Sequence, residues 1–213
     1  FRKRPLLSSV REPARKGDIM KPWNIEICDV TLRDGEQTPG VSFSCEEKQA
    51  IASKLDEIGV EVIEAGFPVV SPYERQCVKT VAGMGLDARI CCLARARKGD
   101  VEAAVDCNVD MVSIFIATSD RHIRHKYHKP REAVLEEALQ MVDFARDHGL
   151  AVRFAAEDAS RTDMEFLLEV YRGGADHGAD LLSFADTVGS LVPMQMFRIM
   201  STLVSTVDRP FCA

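Results

Sequence analysis

No apolar run in the 213-residue sequence approaches the ~20 residues that a membrane-crossing helix needs. No stretch that reads as a strand is followed by a G-x-G-x-x-G or G-x-x-x-x-G-K-[ST] turn, so neither common phosphate-cradling loop is present. There is no excess of positive charge; the net charge of -6 argues against nucleic acid or an anionic membrane as the main partner. The seven cysteines are an odd number and contain no C-x-x-C pair, which suits buried thiols in a reducing cytosol better than a disulfide framework or a zinc site. What remains, 46% apolar and 28% charged, is the composition of an ordinary globule large enough for one domain.

Residues 1–23 stand apart. Arg2, Lys3, Arg4, Arg11, Arg15, Lys16 and Lys21 face only two acids there, and no helical or strand period appears, so the segment reads as a basic flexible leader. An upstream extension before Met20 and an Arg- and Ser-containing transit peptide are both compatible with it.

From residue 24 onward, short apolar runs alternate with amphipathic windows. Strands are predicted over Ile25–Asp29, Val60–Ala65, Ala88–Leu93, Met111–Ile116, Ala151–Ala156 and Asp180–Ala185, with helices between them. The first helix is expected to turn Ala50, Ile51, Leu55 and Ile58 to the core. A further strand begins near Arg209–Ala213. Six consecutive strand–helix units with short connections imply parallel strands joined by right-handed crossovers. An open doubly wound sheet and a closed (β/α)8 barrel both use this repeat. The polar residues decide between them, because they follow strand after strand: Arg33 and Asp34, Glu64, Thr118 and Ser119, Glu157 and Asp158, Asp186 and Thr187. An open sheet concentrates chemistry at one switch point, whereas a barrel rings its mouth with it. The expected fold is therefore an α/β TIM barrel over residues 24–213, represented by about six βα units and the start of strand seven.

The densest chemistry lies in Cys28–Gly40, where an apolar strand end runs into Arg33, Asp34, Glu36 and Gln37 around Gly35. Asp34 offers a hard oxygen ligand to a divalent cation. Arg33 can fork onto a carboxylate or stabilise a ketone oxygen as it gains charge. Arg153 and Glu157 are an even number of positions apart on one strand and so share a face; Glu157 there can serve acid–base chemistry, orient a water, or form an internal ion pair. Thr187 brings a hydroxyl beside Asp186. Glu64 precedes Gly66 and Pro68, a turn expected to aim it away from the centre. His122, His125 and His128 lie among four Lys or Arg side chains, Arg121, Arg124, Lys126 and Lys129, which suits an anion such as a phosphorylated cofactor, or a solvated basic loop. His148 and His177 sit near helix C-termini, where an imidazole is commonly structural.

These motifs resemble the 2-isopropylmalate, homocitrate and citramalate synthases. The resemblance rests on Asp29-Val-Thr-Leu-Arg-Asp-Gly-Glu-Gln-Thr-Pro-Gly-Val, Glu64-Ala-Gly-Phe-Pro, Phe115-Ile-Ala-Thr-Ser-Asp, Glu157-Asp-Ala-Ser-Arg-Thr-Asp and Ala185-Asp-Thr-Val-Gly, in order from Ile25 onward. It implies a barrel enzyme, an acyltransferase, that condenses acetyl-CoA with a 2-oxo acid with the help of a divalent metal (Mg, Mn or Zn), in a cytoplasmic homodimer. Carried over by position, Asp34 is a metal ligand, Arg33 holds and polarises the ketone, and Thr187 binds the oxo-acid carboxylate. Glu157 contacts substrate or its activated water, and Gln37 lies near the metal and acetyl group; Arg153, on the same face as Glu157, is a further substrate-binding candidate.

Three departures qualify the resemblance. The family's His-x-His metal pair on strand seven is absent, as are strand eight and later segments. Ala155 stands where relatives often carry a hydroxyl residue, and Ser113 lies near a position that is often His in isopropylmalate synthases. The last two lean towards 2-oxoglutarate and leave 2-oxoisovalerate open. Two alternatives follow: a metal-dependent lyase or aldolase of the same superfamily, and a chain inactive on its own.

Overall fold

The computed structural model describes residues 25–213, and the expected leader over 1–23 lies outside the described residues. Strands and helices alternate as the periodicity predicts: β1 Cys28–Asp29, α1 Cys45–Glu57, β2 Val62–Glu64, α2 Pro72–Ala82, β3 Arg89–Arg95, α3 Lys98–Cys107 and β4 Met111–Ala117. A short helix α4, Asp120–His122, runs into a π-helical turn, Ile123–Tyr127; then come α5 Arg131–Asp147, β5 Ala151–Glu157, α6 Met164–Asp176, β6 Leu181–Phe184, α7 Pro193–Thr206 and β7 Phe211–Cys212. Ser44 starts α1 with a reciprocal cap: its hydroxyl accepts from the Glu47 N–H while the Glu47 carboxylate accepts from the Ser44 N–H. Ser71 caps α2 in the same sense, with Pro72 in the first turn where its missing N–H costs nothing.

Among the described residues the sheet runs β1-β2-β3-β4-β5-β6-β7, every neighbouring pair parallel. A doubly wound sheet reverses its order at a switch point; a strictly sequential order is that of a barrel wall. The barrel expectation holds, as six strand–helix units and the beginning of a seventh strand.

Register then sorts side chains by face, since neighbours alternate along each strand. Ile63, Ile90, Val112, Ile114, Ile116, Val152, Phe154 and Leu182 point outward into the helices and form the main core, each such burial contributing about 1.5–3 kcal/mol. On the inner face Val62, Cys91, Met111 and Ala151 form a small apolar plug with Cys28. One step further along the strands the inner face turns polar, with Glu64, Ser113 and Arg153 all buried. The site described below stands on that plug.

Four expectations need correction. β1 is shorter than the predicted Ile25–Asp29, and Ile25 and Ile27 are exposed; the Ile27 N–H is held instead by the Glu61 carboxylate at 2.8 Å. On α1, Ala50 and Ile58 face solvent while Lys48 is wholly buried, because its ammonium finds Glu36 at 2.8 Å and Glu74 at 2.7 Å together with the Leu32 and Ala65 carbonyls. A buried charge with a full set of partners overrides the apolar stripe. The segment after β4 is helical rather than a basic loop, anchored by buried Ile123. Finally, Cys45 and Cys77 are paired as a disulfide between α1 and α2, with Cα atoms 5.0 Å apart, whereas Cys28, Cys91, Cys92, Cys107 and Cys212 are free. Their separation of 32 residues has no spacing signature, so the pairing is a product of helix packing.

Candidate active site

The loop after β1 is folded by its own backbone. The N–H groups of Arg33, Asp34 and Gly35 all converge on the Val30 carbonyl, and Leu32 is driven fully into the core. A 3-10 turn over Gly35–Gln37 follows. Glu36 turns towards Lys48 and accepts from the Phe43 N–H at 2.9 Å, so it serves as the loop's anchor. Arg33, Asp34 and Gln37 are left facing the barrel mouth.

Glu64 occupies the centre. The expectation that its turn aims it away is wrong: even spacing from Val62 on β2 places it on the inner face, fully buried. One carboxylate oxygen accepts from Arg33 Nε at 2.5 Å and the other from Arg153. Arg153 also donates to Ser113 Oγ at 2.9 Å, the residue opposite it in the β4–β5 register, and to Cys28 Sγ at 3.2 Å. Burial pushes the Cys28 thiol up. One buried carboxylate thus serves two guanidiniums, and a buried charge is retained at low cost only with such partners. Arg33 spends a further N–H on Asp34 at 2.8 Å.

Glu157, at the end of β5, is half-buried and paired with Lys126 Nζ at 2.6 Å. Its ion pair comes from the helical turn after β4 rather than from a neighbouring strand. The next residue, Asp158, was not singled out as a site residue, yet it ties three strand ends together. Its backbone is left-handed (φ 62°), a conformation non-glycine residues adopt at a cost. The buried carboxylate accepts from Ser119 Oγ at 2.5 Å and from Arg161 at 2.7 and 2.8 Å. Its N–H donates to Thr187 Oγ1 at 2.9 Å. The Thr187 oxygen is thereby engaged as an acceptor and its own hydrogen is left for an acceptor in the cavity. The only sequence signal for this latch was an acid directly following Glu157; its partners come from strands four and six.

Arg33, Asp34, Gln37, Arg153, Glu157 and Thr187 all line one open cavity of about 490 Å³, together with Ser113, Phe115 and Ala155. That size matches small-molecule sites in general. Two guanidiniums and a hydroxyl donor, set against an apolar wall and the carboxylates of Asp34, Glu157 and Asp186, can bind a small ketone-bearing acid. A metal fits less well: among the described residues no three His, Cys, Asp or Glu side chains converge to hold an ion, and Asp34 already accepts from Arg33. His122, His125 and His128 do not reach this cavity; His148 and His177 bond a helix carbonyl and Asp143 respectively, as structural imidazoles do.

Homocitrate synthase AksA of Methanosarcina acetivorans is 54% identical to this chain over 193 residues, covering 90% of the chain and 48% of the relative. A probable 2-isopropylmalate synthase of Methanopyrus kandleri is 54% identical over 189 residues, covering 89% and 38%. The chain thus spans about half, or less, of the length of these curated relatives. The crystal structure of the Bacillus subtilis HMG-CoA lyase superposes with a TM-score of 0.75 at 20% identity, over 86% of this chain and 65% of that one; at that identity the likeness speaks for the fold. The sequential parallel wall and the polar ring at its mouth agree with a family match over residues 24–213, and the chain belongs to the HMGL-like family.

Proposed function

We propose that this chain binds a 2-oxo acid in the cavity at the strand ends and presents its ketone for Claisen-type condensation with the acetyl group of acetyl-CoA. The product is a 2-hydroxy di- or tricarboxylic acid of the 2-isopropylmalate or homocitrate kind. The observation that carries this reading is the pair of guanidiniums, Arg33 and Arg153, fixed by the one buried carboxylate of Glu64, which sets two pre-oriented cationic donors at the cavity wall for the carboxylate and ketone of a 2-oxo acid.

In this mechanism the Thr187 hydroxyl donates to the oxo-acid carboxylate. As the acetyl methyl gives up a proton to a base and its carbon attacks the ketone carbon, the carbonyl electron pair moves onto the ketone oxygen, which then takes up a proton to become the product hydroxyl. The Arg33 guanidinium, fixed beforehand by Glu64 and Asp34, stabilises the charge on that oxygen at no reorganisation cost. Arg153 holds the far end of the substrate and Gln37 lies beside the acetyl group. Glu157, kept in place by Lys126, orients the water that hydrolyses the thioester and releases the thiol. Ala155 and the Ser113–Arg153 pair favour 2-oxoglutarate over 2-oxoisovalerate. A divalent ion (Mg, Mn or Zn) would take Asp34 as one ligand and polarise the ketone; no step above depends on it. Identity of 54% to named homocitrate and 2-isopropylmalate synthases favours condensation over cleavage. Exposed Met194, Phe197 and Val204 on α7 support a homodimer.

A second reading, binding without turnover by this chain alone, is favoured by Asp34 standing without companion metal donors among the described residues. Calorimetry with 2-oxoglutarate, 2-oxoisovalerate and pyruvate, run alongside thiol release from acetyl-CoA, separates the two. Binding abolished by Arg33→Ala together with 2-oxo-acid-dependent thiol release supports condensation; binding alone supports the second reading. Binding of none of the three acids removes both.

A further inference from the structure

Lys48 shares the buried face of α1 with Ala52 and is wholly enclosed. Stability alone does not call for a lysine there. Burying an ammonium costs free energy until it is paired, and a buried ion network is often no more stabilising than apolar side chains of the same volume. What the network supplies is direction, because each of its bonds fixes a particular atom of another element at hydrogen-bond distance.

Those atoms flank the pair at the centre of the site. The Lys48 ammonium donates to the Leu32 carbonyl at 3.2 Å, directly before Arg33, and to the Ala65 carbonyl at 3.4 Å, directly after Glu64. It pairs with Glu36 at 2.8 Å, beyond Arg33 on the same loop, and that carboxylate also accepts from the Phe43 N–H. Glu74 on α2 binds the ammonium through both oxygens, at 2.7 and 2.8 Å, and accepts from the Phe67 N–H, which fixes the turn after β2. The turn leaves room for that carboxylate only because Gly66 has no side chain; a Cβ there would collide with Glu74 Oε1. Lys48 itself does not line the main cavity, so any effect it has on the chemistry passes through Arg33 and Glu64.

We infer that Lys48 is a positioning residue: its ammonium holds the backbone beside each member of the Arg33–Glu64 pair, so that the Arg33 guanidinium stands ready for the substrate ketone. This deepens the proposed condensation and rests on it for the identity of the substrate, whereas the placing of Arg33 is a property of the chain without ligand. When the ammonium is removed, the loop keeps its own turn around the Val30 carbonyl but loses the clamp on either side of Arg33. The guanidinium can then leave Glu64 and remain with Asp34 alone.

The test is nitrogen-edited NMR of the arginine side chains in the ligand-free 213-residue chain. The Arg33 Nε–H signal, identified by its disappearance in Arg33→Lys, reports the bond to Glu64. Lys48→Met keeps the reach of the side chain and removes its charge. It is expected to speed exchange of that N–H with water about tenfold or more, while the Arg153 Nε–H, held by Ser113, stays as in the parent. Glu36→Gln, which leaves the Lys48–Glu74 pair in place, should show the same change to a smaller degree. Circular dichroism checks folding. If Lys48→Met does not fold, Lys48→Met combined with Glu36→Gln and Glu74→Gln removes the clamp without stranding a charge, and the same change is expected. Gly174→Ala, which overpacks α6, should leave the Arg33 signal unaltered. In calorimetry Lys48→Met should weaken 2-oxoglutarate binding about tenfold. It should have little further effect in Arg33→Lys, since a residue that acts through Arg33 loses its effect with it. An Arg33 signal unchanged on removing the clamp, or equal affinity losses in the two backgrounds, would overturn the positioning role. Failure of the parent to bind any 2-oxo acid would remove the proposed substrate, and the Arg33 signal would still decide whether Lys48 places Arg33.

Discussion

Glu64 Oε2 accepts from Arg33 Nε at 2.5 Å, joining the loop after β1 to the inner face of β2 across 31 residues of sequence. The same carboxylate binds Arg153. Removing it strands two guanidiniums, one of them buried. Glu64→Ala is therefore expected to lose about 3–5 kcal/mol of stability, with Glu64→Gln losing less because its amide oxygen still accepts. Urea unfolding of both variants checks this; a loss indistinguishable from that of an exposed control such as Glu57→Ala would show that the carboxylate is not holding the site together.

Thr187 is exposed, but its hydroxyl also accepts from the Asp158 N–H. Thr187→Val keeps the shape and removes the hydroxyl, and it should weaken 2-oxo-acid binding about tenfold and lower stability by about 1–3 kcal/mol through the unpaired Asp158 N–H. Thr187→Ser keeps the hydroxyl and should retain most of the affinity. Equal affinities for the two variants in calorimetry would remove Thr187 from the carboxylate site.

Two carboxylates set the acid limb of stability. Burial raises the carboxyl pKa of Asp158, but hydrogen bonds from Arg161 and Ser119 outweigh it and hold the group below the usual range. Asp186, bonded by Ser160 and by the N–H groups of Leu191 and Ser190, is brought down to about 2. Because the folded values lie below the unfolded ones, their contribution is complete above about pH 4. It is lost as pH falls through the folded values. Melting temperatures should thus decline below that point, and Asp158→Asn should lower the neutral plateau while flattening the decline. An acid limb as steep in Asp158→Asn as in the parent would rule Asp158 out as a contributor.

Gly174 in α6 is a packing glycine. A Cβ there would lie 2.5 Å from Phe154 Cδ1 and 3.2 Å from Cε1. Alanine gains about 1 kcal/mol of helix propensity, while overpacking a core costs about 1–3 kcal/mol, so Gly174→Ala should be destabilising by up to about 2 kcal/mol. Gly99 in α3 has open space around its would-be Cβ, and Gly99→Ala should be neutral or stabilising. Thermal melts of the pair check the sign; stabilisation by both would mean that Phe154 yields freely.

Much of this was legible in the chain itself. Alternation of apolar strands with amphipathic helices requires only local periodicity, and short connections make the strands parallel. The polar residues that end successive strands, Arg33, Asp34, Glu157 and Thr187, announced a barrel mouth, since a local pattern states which residues stand at a strand's end. Their partners were not legible. Glu64 belongs to the centre because β2 sits between β1 and β3 in a register that faces it towards Arg153, 89 residues away. Lys48 leaves an apparently polar position for the core only because Glu36 and Glu74 arrive from other elements. Asp158 closes on Ser119 and Thr187 for the same reason.

The division follows from the range of the forces. Hydrophobic period, caps and turns act within a few residues, so the sequence by itself determined the elements, their order and the residues at their ends. Ion pairs and hydrogen bonds among buried groups act over about 3 Å but join residues far apart in the chain. Only the tertiary structure decided which carboxylate neutralises which guanidinium and which hydroxyl keeps a free hydrogen.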